Sequence, residues 1–231
     1  MTQQARFTSF TVAATAALVL IAGCGGSDDT TAPALVAASL VATQGNAQAG
    51  TVGLALTSPV SVQVLAANGS PVAGALVTWF IESGGGSVST TSTTTDSLGI
   101  ATVTWTLGTV AGNDSLAAAV TTASITLSAV ANAGPVAALK KVSGDQQTVT
   151  AGTTTQPLVV MATDAYDNPV AGVTVSWIPE NGGALGAQTS VTGSDGTAQD
   201  ALTADSAATY QVLAELQSDA TVQATFTEIV D

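Results

Sequence analysis

Few side chains in this sequence are suited to catalysis or to metal binding. The 231 residues include no histidine, a single cysteine (Cys24) and only three Lys or Arg residues. Histidine is the commonest general base in enzymes and a usual zinc ligand, so its absence removes both chemistries at once. The many serines and threonines also lack a histidine or a positioned lysine that would activate a hydroxyl nucleophile. We therefore predict that the protein is not an enzyme and has no catalytic residues.

Carboxylates are more numerous, but their spacing does not favour a shared active site. Glu82 and Glu180 each follow a tryptophan-bearing segment, and they fall in separate copies of an internal repeat. Glycoside hydrolysis needs two carboxyl groups that face each other across one cleft, so we interpret these glutamates as solvated strand ends. The run Gly84-Gly85-Gly86 is followed by neither a helix pattern nor a lysine, which favours a hairpin turn over a phosphate-binding loop.

Asp164, Asp167 and Asn168 are the candidate metal ligands. They cluster in one predicted turn, and calcium binds six to eight oxygen ligands of this kind. The competing explanation is turn chemistry, because Asp and Asn side chains accept hydrogen bonds from nearby backbone N–H groups. The first copy of the repeat has Ala66 and Ser70 at the matching positions, so a metal site common to both copies is excluded. We predict no metal and no cofactor, with calcium at this turn as the alternative.

The context of Cys24 indicates membrane attachment. An apolar run from Phe7 to Ile21 follows a short polar start and ends in small residues, as a secretory signal does. The segment Ile21-Ala22-Gly23-Cys24 resembles the lipobox of bacterial lipoproteins. The resemblance implies cleavage between Gly23 and Cys24, a diacylglycerol on the cysteine thiol, and acylation of the new amine, for example with palmitate. A plain signal peptide with an incidental cysteine and a single transmembrane anchor are the alternatives.

The same resemblance assigns the first residues to a signal peptide, 1–23, and an acylated cysteine with a flexible tether, 24–33. The residues after Cys24, which begin with Gly25, are similar to those that direct lipoproteins to the outer membrane or the cell surface. The net charge of −13 excludes nucleic acid as a partner and provides no basic patch for anionic lipid. Attachment to the membrane is therefore expected to depend on the lipid at Cys24.

The remainder of the chain repeats itself with an offset of 98 residues. Residues 67–79 and 165–177 share a proline, a Val-Ala-Gly run, a valine and a tryptophan; in the two copies these are Pro71, Val72, Ala73, Gly74, Val77 and Trp79, and Pro169, Val170, Ala171, Gly172, Val175 and Trp177. A repeat of about 100 residues matches the size of a small domain. We predict two tandem domains, residues 34–133 and 135–231, joined through residues 131–135.

Both copies are predicted to consist of β-strands. Short segments alternate apolar and polar residues with period two, and Gly, Asn and Pro turns separate them. A helix over the same segments would bury threonines at every turn. The inward positions predicted for the first copy are Val60, Val62, Val64, Ala75, Val77, Trp79, Ile81, Ala101, Val103, Trp105, Leu107, Leu116, Ala118, Val120, Ile125, Leu127 and Ala129. Trp79 and Trp177 are expected to be equivalent core residues that fill the space between two sheets.

The first copy contains six motifs, which are Ala49-Gly50-Thr51-Val52-Gly53, Asn68-Gly69-Ser70-Pro71-Val72-Ala73-Gly74, Val77-Thr78-Trp79, Ser83-Gly84-Gly85-Gly86-Ser87, Asp96-Ser97-Leu98-Gly99-Ile100-Ala101 and Trp105-Thr106-Leu107-Gly108. Together they resemble the bacterial immunoglobulin-like domain of group 1, which builds the rods of invasin- and intimin-type adhesins. The second copy keeps several of them but has Asp200 at the inward site where the first copy has Val103. The resemblance implies two tandem Ig-like antiparallel β-sandwiches, and a family without catalytic residues to transfer.

These features together lead us to expect a non-catalytic lipoprotein of the cell envelope. Its expected role is cell adhesion, or that of a spacer that holds a contact face away from the membrane. The alternative is a periplasm-facing scaffold that binds a glycan or another partner. The expected partners are the membrane, through the lipid, and a protein or glycan surface ligand. Exposed aromatic residues at a loop end would indicate a binding module, and Tyr166 is the one candidate.

Overall fold

The computed structural model describes residues 34–231, all of which lie in β-strands, turns and loops. The predicted all-β fold class is confirmed, because the described residues form twenty strands and no helix. Within these residues, accordingly, no helix is long and apolar enough to cross a membrane. The strands make two successive sandwiches, and every sheet takes its strands from one sandwich alone.

Sandwich 1 contains the first ten strands. They are β1 (Ala37–Gln44), β2 (Gln48–Thr51), β3 (Val60–Ala66), β4 (Leu76–Ser83), β5 (Ser87–Val88), β6 (Ser92–Thr94), β7 (Ile100–Val103), β8 (Trp105–Thr106), β9 (Gly112–Val120) and β10 (Ala123–Asn132). A three-stranded sheet has the order β1-β3-β7, and a five-stranded sheet has the order β2-β10-β9-β4-β6. The short strands β5 and β8 form a separate pair.

Sandwich 2 repeats this arrangement strand for strand. Its strands are β11 (Ala138–Ser143), β12 (Thr148–Val149), β13 (Leu158–Thr163), β14 (Thr174–Pro179), β15 (Ala184–Leu185), β16 (Thr189–Val191), β17 (Thr197–Asp200), β18 (Leu202–Thr203), β19 (Ala208–Leu216) and β20 (Asp219–Val230). The sheets have the orders β11-β13-β17, β12-β20-β19-β14-β16 and β15-β18. The internal repeat seen in the sequence therefore extends to the topology.

The strand pairs are antiparallel except for one pair in each sandwich. The short strands β2 and β12 run parallel to β10 and β20, respectively. This detail departs from the expectation of purely antiparallel sandwiches. Its physical cause is that β2 and β12 follow a turn that carries the chain from the edge of the three-stranded sheet to the edge of the five-stranded sheet.

Each sandwich has its own hydrophobic core, and the two cores share no residue. The largest buried side chains in sandwich 1 are Trp79, Trp105, Leu107, Leu116 and Leu127. In sandwich 2 they are Trp177, Phe226, Leu158 and Leu202, and the rings of Trp177 and Phe226 lie 6.1 Å apart between centroids. Period-two alternation places these residues on the inner faces of both sheets, where removal from water stabilises the fold.

The equivalent tryptophans are anchored in the same way. Trp79 Nε1 donates a hydrogen bond to Thr93 Oγ1 at 2.8 Å, and Trp177 Nε1 donates to Ser190 Oγ at 2.8 Å. In both sandwiches the acceptor lies on the edge strand next to the tryptophan-bearing strand. This bond satisfies the indole N–H, which would otherwise be buried without a partner.

Candidate functional site

The predicted lipid attachment site lies outside the described residues. Cys24, the cleavage site between Gly23 and Cys24, the signal peptide 1–23 and most of the tether precede residue 34, where the description begins. Lipidation at Cys24 therefore stays a prediction from the sequence.

The turn of Asp164 and Asn168, between β13 and β14, lies at the junction of the two sandwiches. The Asp164 side chain is only 2% exposed, and both of its oxygens accept hydrogen bonds. Oδ1 accepts from the backbone N–H groups of Tyr166 and Asn168 at 2.8 and 2.9 Å. Oδ2 accepts from the Gly134 N–H at 2.8 Å and from Asn168 Nδ2 at 2.9 Å.

The hydrogen bonds at Asp164 stabilise its charged form. Burial disfavours the carboxylate, but the donors from the Asn168 side chain and from three backbone N–H groups outweigh that effect. The pKa of Asp164 consequently lies below its ordinary value. The carboxylate is thus fully occupied by the protein's own donors.

Asp167, the third calcium candidate, points elsewhere. Its side chain is exposed and pairs with the ammonium group of Lys140. Residues 34–231 contain no group of three or more His, Cys, Asp or Glu side chains arranged to hold a metal ion. The structure therefore brings Asp164 and Asn168 together, whereas the Asp167 carboxylate turns away from them.

The other motifs singled out in the sequence occupy turns and strand ends. Glu82 and Glu180 are exposed and belong to different sandwiches. Gly84, Gly85 and Gly86 all have positive φ, between 77° and 87°, and form the turn that joins β4 to β5. A Cβ on Gly86 would lie 2.2 Å from the Thr106 carbonyl oxygen, so the close approach of β8 requires glycine there.

Two buried carboxyl groups were not predicted. Asp114 is 1% exposed; its Oδ2 accepts from the Gly108 N–H at 3.2 Å. Glu228 is 0% exposed, and its Oε2 accepts from the Gln147 N–H at 2.9 Å. Each keeps a second oxygen that has no hydrogen-bond partner among the described residues. The sequence did contain a signal for both residues, because each is an acid at a position where the apolar–polar alternation of its strand points toward the core.

Glu228 carries the largest electrostatic perturbation among these groups. Burial raises its pKa to about 7, and the nearby Asp145 carboxylate acts in the same direction. The hydrogen bond from Gln147 and the positive charge of Lys141 oppose the rise without cancelling it. A carboxyl group with this pKa is partly neutral at physiological pH.

The outer face of the five-stranded sheet in sandwich 1 carries large hydrophobic residues among small and polar ones. We define this outer face by the residues of β4, β9 and β10 that lie on the side away from the core, which are Leu76, Thr78, Phe80, Ala117, Ala119, Thr126, Ser128 and Val130. Glu82, at the end of β4, is exposed beside them. Leu76 is 61% exposed and Phe80 is 47% exposed, and Phe80 lies opposite Ala117 across the strand pair. A single face therefore presents large hydrophobic side chains, with Glu82 as a charged neighbour at the end of β4.

A cleft of about 250 Å³ lies at the junction. Val52 and Leu54 line it from sandwich 1, Pro135 lines it from the linker, and Tyr166 lines it from sandwich 2. Tyr166 is the aromatic residue that the sequence indicated at a loop end, and it is 53% exposed. The structure places it against sandwich 1 rather than at a free end of the molecule.

A family match lies in the second sandwich. Residues 140–227 match the model of the bacterial Ig-like domain (group 1), which confirms the resemblance for this part of the chain. The motifs that suggested this family lay mainly in the first copy, whereas the matched residues lie in the second. No curated protein matches the chain.

Solved structures share the fold at low sequence identity. The Escherichia coli adhesin FdeC is 20% identical over 83% of this chain and 63% of its own, with a TM-score of 0.51. InvD of Yersinia pseudotuberculosis is 20% identical over 83% of this chain and 56% of its own, with a TM-score of 0.50. The D0-D1 domain of intimin is 22% identical over 82% of this chain and 97% of its own, with a TM-score of 0.33. The chain thus spans about three fifths of FdeC and InvD as solved.

Proposed function

We propose that this chain is a non-catalytic cell-envelope lipoprotein that displays two Ig-like sandwiches for adhesion or as a contact-bearing spacer. The observation that supports the proposal most is the tandem Ig-like architecture, which it shares in fold with the adhesin FdeC. The lipobox-like segment at Cys24 supports attachment to the membrane, preferentially at the outer membrane or the cell surface.

The chemistry of the described residues supports a contact function over a catalytic one. The buried carboxyls Asp114 and Glu228 belong to different sandwiches and so cannot act on one substrate as a pair. Asp164 is committed to four donors at the junction. The calcium alternative at Asp164, Asp167 and Asn168 is not part of this proposal.

The outer face is the surface best suited to contact. A protein with a net charge of −13 repels other acidic surfaces, but Leu76, Phe80 and Val130 on the outer face are hydrophobic, and Glu82 is the one charged residue of β4. Aromatic residues such as Phe80, which is 47% exposed, are enriched in the cores of protein interfaces. We therefore propose that a protein or glycan ligand contacts Leu76, Phe80 and Val130.

The lipid anchor is tested first, in the full chain. Replacing Cys24 by serine is expected to abolish palmitate labelling and to move the protein from the membrane fraction to the soluble fraction. Wild-type labelling of the Cys24→Ser variant would contradict the proposal. Protease treatment of intact cells then locates the sandwiches, and complete protection would favour the periplasm-facing scaffold instead.

The contact role is tested on cells that display the full chain. Wild-type cells are expected to adhere to protein- or glycan-coated surfaces, and Phe80→Ser is expected to reduce adhesion several-fold because the apolar contact is lost. Leu98→Ser is the matched control, because Leu98 is 60% exposed in the same sandwich but lies in the β6–β7 turn. Equal adhesion by wild type and Phe80→Ser would show that the outer face is not the contact surface.

A further inference from the structure

We infer that Asp164 and Asn168 form an interdomain clamp that holds sandwich 2 in one fixed orientation on sandwich 1. The inference goes beyond the proposed function, since it concerns the junction and holds whatever the outer face contacts. It rests on three contacts and on a comparison of the same turn in the two sandwiches.

The first contact is made by the side-chain amide of Asn168. Its Nδ2 donates to the Thr109 carbonyl oxygen at 2.8 Å, and its Oδ1 accepts from the Ala111 N–H at 2.8 Å. Both partners belong to the loop between β8 and β9 in sandwich 1. The amide of one sandwich therefore pairs with the backbone of the other as a neighbouring strand would, and it does so at only 6% exposure.

The second contact fixes the linker. Asp164 Oδ2 accepts from the N–H of Gly134, which lies between β10 and β11, at 2.8 Å. The same carboxylate accepts from Asn168 Nδ2, and this bond orients the amide toward sandwich 1. A hydrogen bond to an ionised acceptor is roughly twice as strong as one between neutral groups. The linker and the amide are thus held by one buried charge.

The third contact is a close approach without a hydrogen bond. A Cβ on Gly53 would lie 2.8 Å from Tyr166 Oη and 3.3 Å from the nearest ring carbons. Gly53 also has a φ of 71°, a conformation that favours glycine. The tyrosine of the second sandwich therefore rests on a glycine of the first, beside the polar clamp.

The equivalent turn in sandwich 1 shows that the clamp residues are not needed to form the turn. There, the N–H of Ala66 donates to the Ser70 carbonyl oxygen at 2.9 Å, and the N–H of Gly69 donates to the Ala66 carbonyl oxygen at 2.9 Å. The turn of sandwich 2 has the same two backbone hydrogen bonds. The Asp164 N–H donates to the Asn168 carbonyl oxygen at 3.0 Å, and the Asp167 N–H donates to the Asp164 carbonyl oxygen at 3.1 Å. The turn of sandwich 1 has Ala66 and Ser70 where the turn of sandwich 2 has Asp164 and Asn168, and both turns have the same backbone hydrogen bonds. The polar side chains of sandwich 2 are therefore not required for the backbone of the turn, and besides the bonds that Asp164 Oδ1 accepts within the turn they make bonds to the junction.

The clamp is tested by measuring the distance between the sandwiches in the chain 25–231, which contains every described strand and both cores. This chain lacks Cys24, so Ser124→Cys and Gln223→Cys introduce the only thiols, at exposed and equivalent positions of β10 and β20. Spin labels at these sites are expected to give a single narrow distance distribution. Asp164→Ala with Asn168→Ser, which copies the turn of sandwich 1, is expected to broaden the distribution at least twofold.

Two further variants separate the clamp from general damage to the turn. Asn168→Asp keeps the size of the side chain but replaces its donor with a second acceptor facing Thr109, and it is expected to broaden the distribution similarly. Asp195→Ala is the matched control, because Asp195 also caps a turn of sandwich 2 but bonds only within that turn. A broad distribution in the unmodified chain, or an unchanged width in both clamp variants, would overturn the inference.

Amide hydrogen exchange gives a readout that turn capping alone would not change. The N–H of Ala111 lies in sandwich 1 and donates to Asn168. Loss of the clamp is expected to accelerate its exchange at least tenfold, with no change at Val64, whose N–H bonds to Gly99 inside sandwich 1. Unchanged exchange at Ala111 in a folded clamp variant would overturn the inference independently of the labels.

Discussion

At Glu228 the two cores differ in chemistry. The Ala47 N–H donates to the Ser128 carbonyl oxygen in sandwich 1, and the Gln146 N–H donates to the Thr227 carbonyl oxygen in sandwich 2. Because these two hydrogen bonds are equivalent, the next residues, Ala129 and Glu228, occupy equivalent positions. Sandwich 1 therefore has the methyl group of Ala129 where sandwich 2 has the carboxyl group of Glu228. Glu228 is fully buried, and its Oε1 has no hydrogen-bond partner among the described residues. Burial of this kind disfavours the charged form, which makes the stability of sandwich 2 depend on pH.

We predict that sandwich 2 loses stability as the pH rises toward neutrality. Glu228 has a pKa of 4.5 without the protein environment and about 7 in the fold. Between these values the folded state binds a proton that the unfolded state lacks, so the free energy of unfolding falls with rising pH and is constant above about 7. The total loss is about 3 kcal/mol at most. Calorimetry between pH 5 and 8 measures it.

Glu228→Gln is expected to remove this pH dependence, because the amide cannot ionise. Glu180→Gln is the matched control, since Glu180 is exposed in the same sandwich and its replacement should preserve the dependence. The pKa values of Asp145 and Asp164 are lowered from 3.8, so these two carboxylates change the stability only at a pH below the measured range. Equal slopes in wild type and Glu228→Gln would contradict the prediction.

The core tryptophans are expected to contribute a large part of the stability of each sandwich. Trp79 and Trp177 are 1% and 2% exposed, and each replacement by alanine is expected to cost about 3–5 kcal/mol through lost burial and a cavity. Urea unfolding measures the cost. Phe80→Ala is the control, because the neighbouring side chain points to the outer face and is 47% exposed. A comparable loss in Phe80→Ala would contradict the core assignment of Trp79.

At the scale of the strand, Asp200 shows how a register can survive an unexpected residue. The sequence placed this acid at an inward site and so put the register of β17 in question. In the structure Leu158 pairs with Asp200 as Val60 pairs with Val103, so the register is kept. The carboxylate accepts hydrogen bonds from the backbone N–H groups of Ala187 and Ala201, at the bend between β17 and β18.

We predict that Asp200→Ala destabilises sandwich 2 by about 1–3 kcal/mol, because the Ala187 N–H loses its acceptor in a partly buried site. Asp200→Asn keeps one carbonyl acceptor and is expected to cost less than half as much. Thermal unfolding of the two variants compares them. Equal losses for Asp200→Asn and Asp200→Ala would show that the charge, rather than the acceptor, matters.

Period-two alternation was sufficient to locate the strands that carry the core. The inward residues of β3, β4, β7 and β9 follow directly from it, because side chains alternate between the faces of a strand. The parallel pairing of β2 with β10 could not be predicted in this way, because β2 has only four residues, one of them glycine, and shows no clear alternation of apolar and polar residues. Pairings between distant segments depend on the closed sandwich, which local sequence does not encode.

The role of Asn168 was hidden for a similar reason. The sequence showed a polar turn, and turn chemistry and calcium were the two explanations within reach. The actual partners, Thr109 and Ala111, lie in the other sandwich and come close only once both are folded. The available signal was the difference between copies, in which Ala66 and Ser70 occupy the same turn.

At the scale of the whole molecule, two separate cores meet through a small junction of polar and apolar residues. Because the cores share no residue, each sandwich is expected to have its own unfolding transition. The bonds from Asn168 to sandwich 1 and from Asp164 to the linker exist only while both sandwiches are folded. Each contributes about 1 kcal/mol, so the coupling is expected to be about 1–3 kcal/mol, well below the stability of a domain.

This coupling gives the last prediction, which a double-mutant cycle in calorimetry measures. Trp79→Ala is expected to lower the transition of sandwich 1 strongly and that of sandwich 2 slightly, because sandwich 2 then unfolds without a folded neighbour for its clamp. In a chain that already carries Asp164→Ala and Asn168→Ser, Trp79→Ala should leave the transition of sandwich 2 unchanged. Equal shifts of sandwich 2 in both backgrounds would mean that the coupling passes through contacts other than the clamp. A single merged transition in the wild type that falls as a unit with Trp79→Ala would mean that the sandwiches fold as one cooperative body, in which case the junction contributes far more than its few hydrogen bonds.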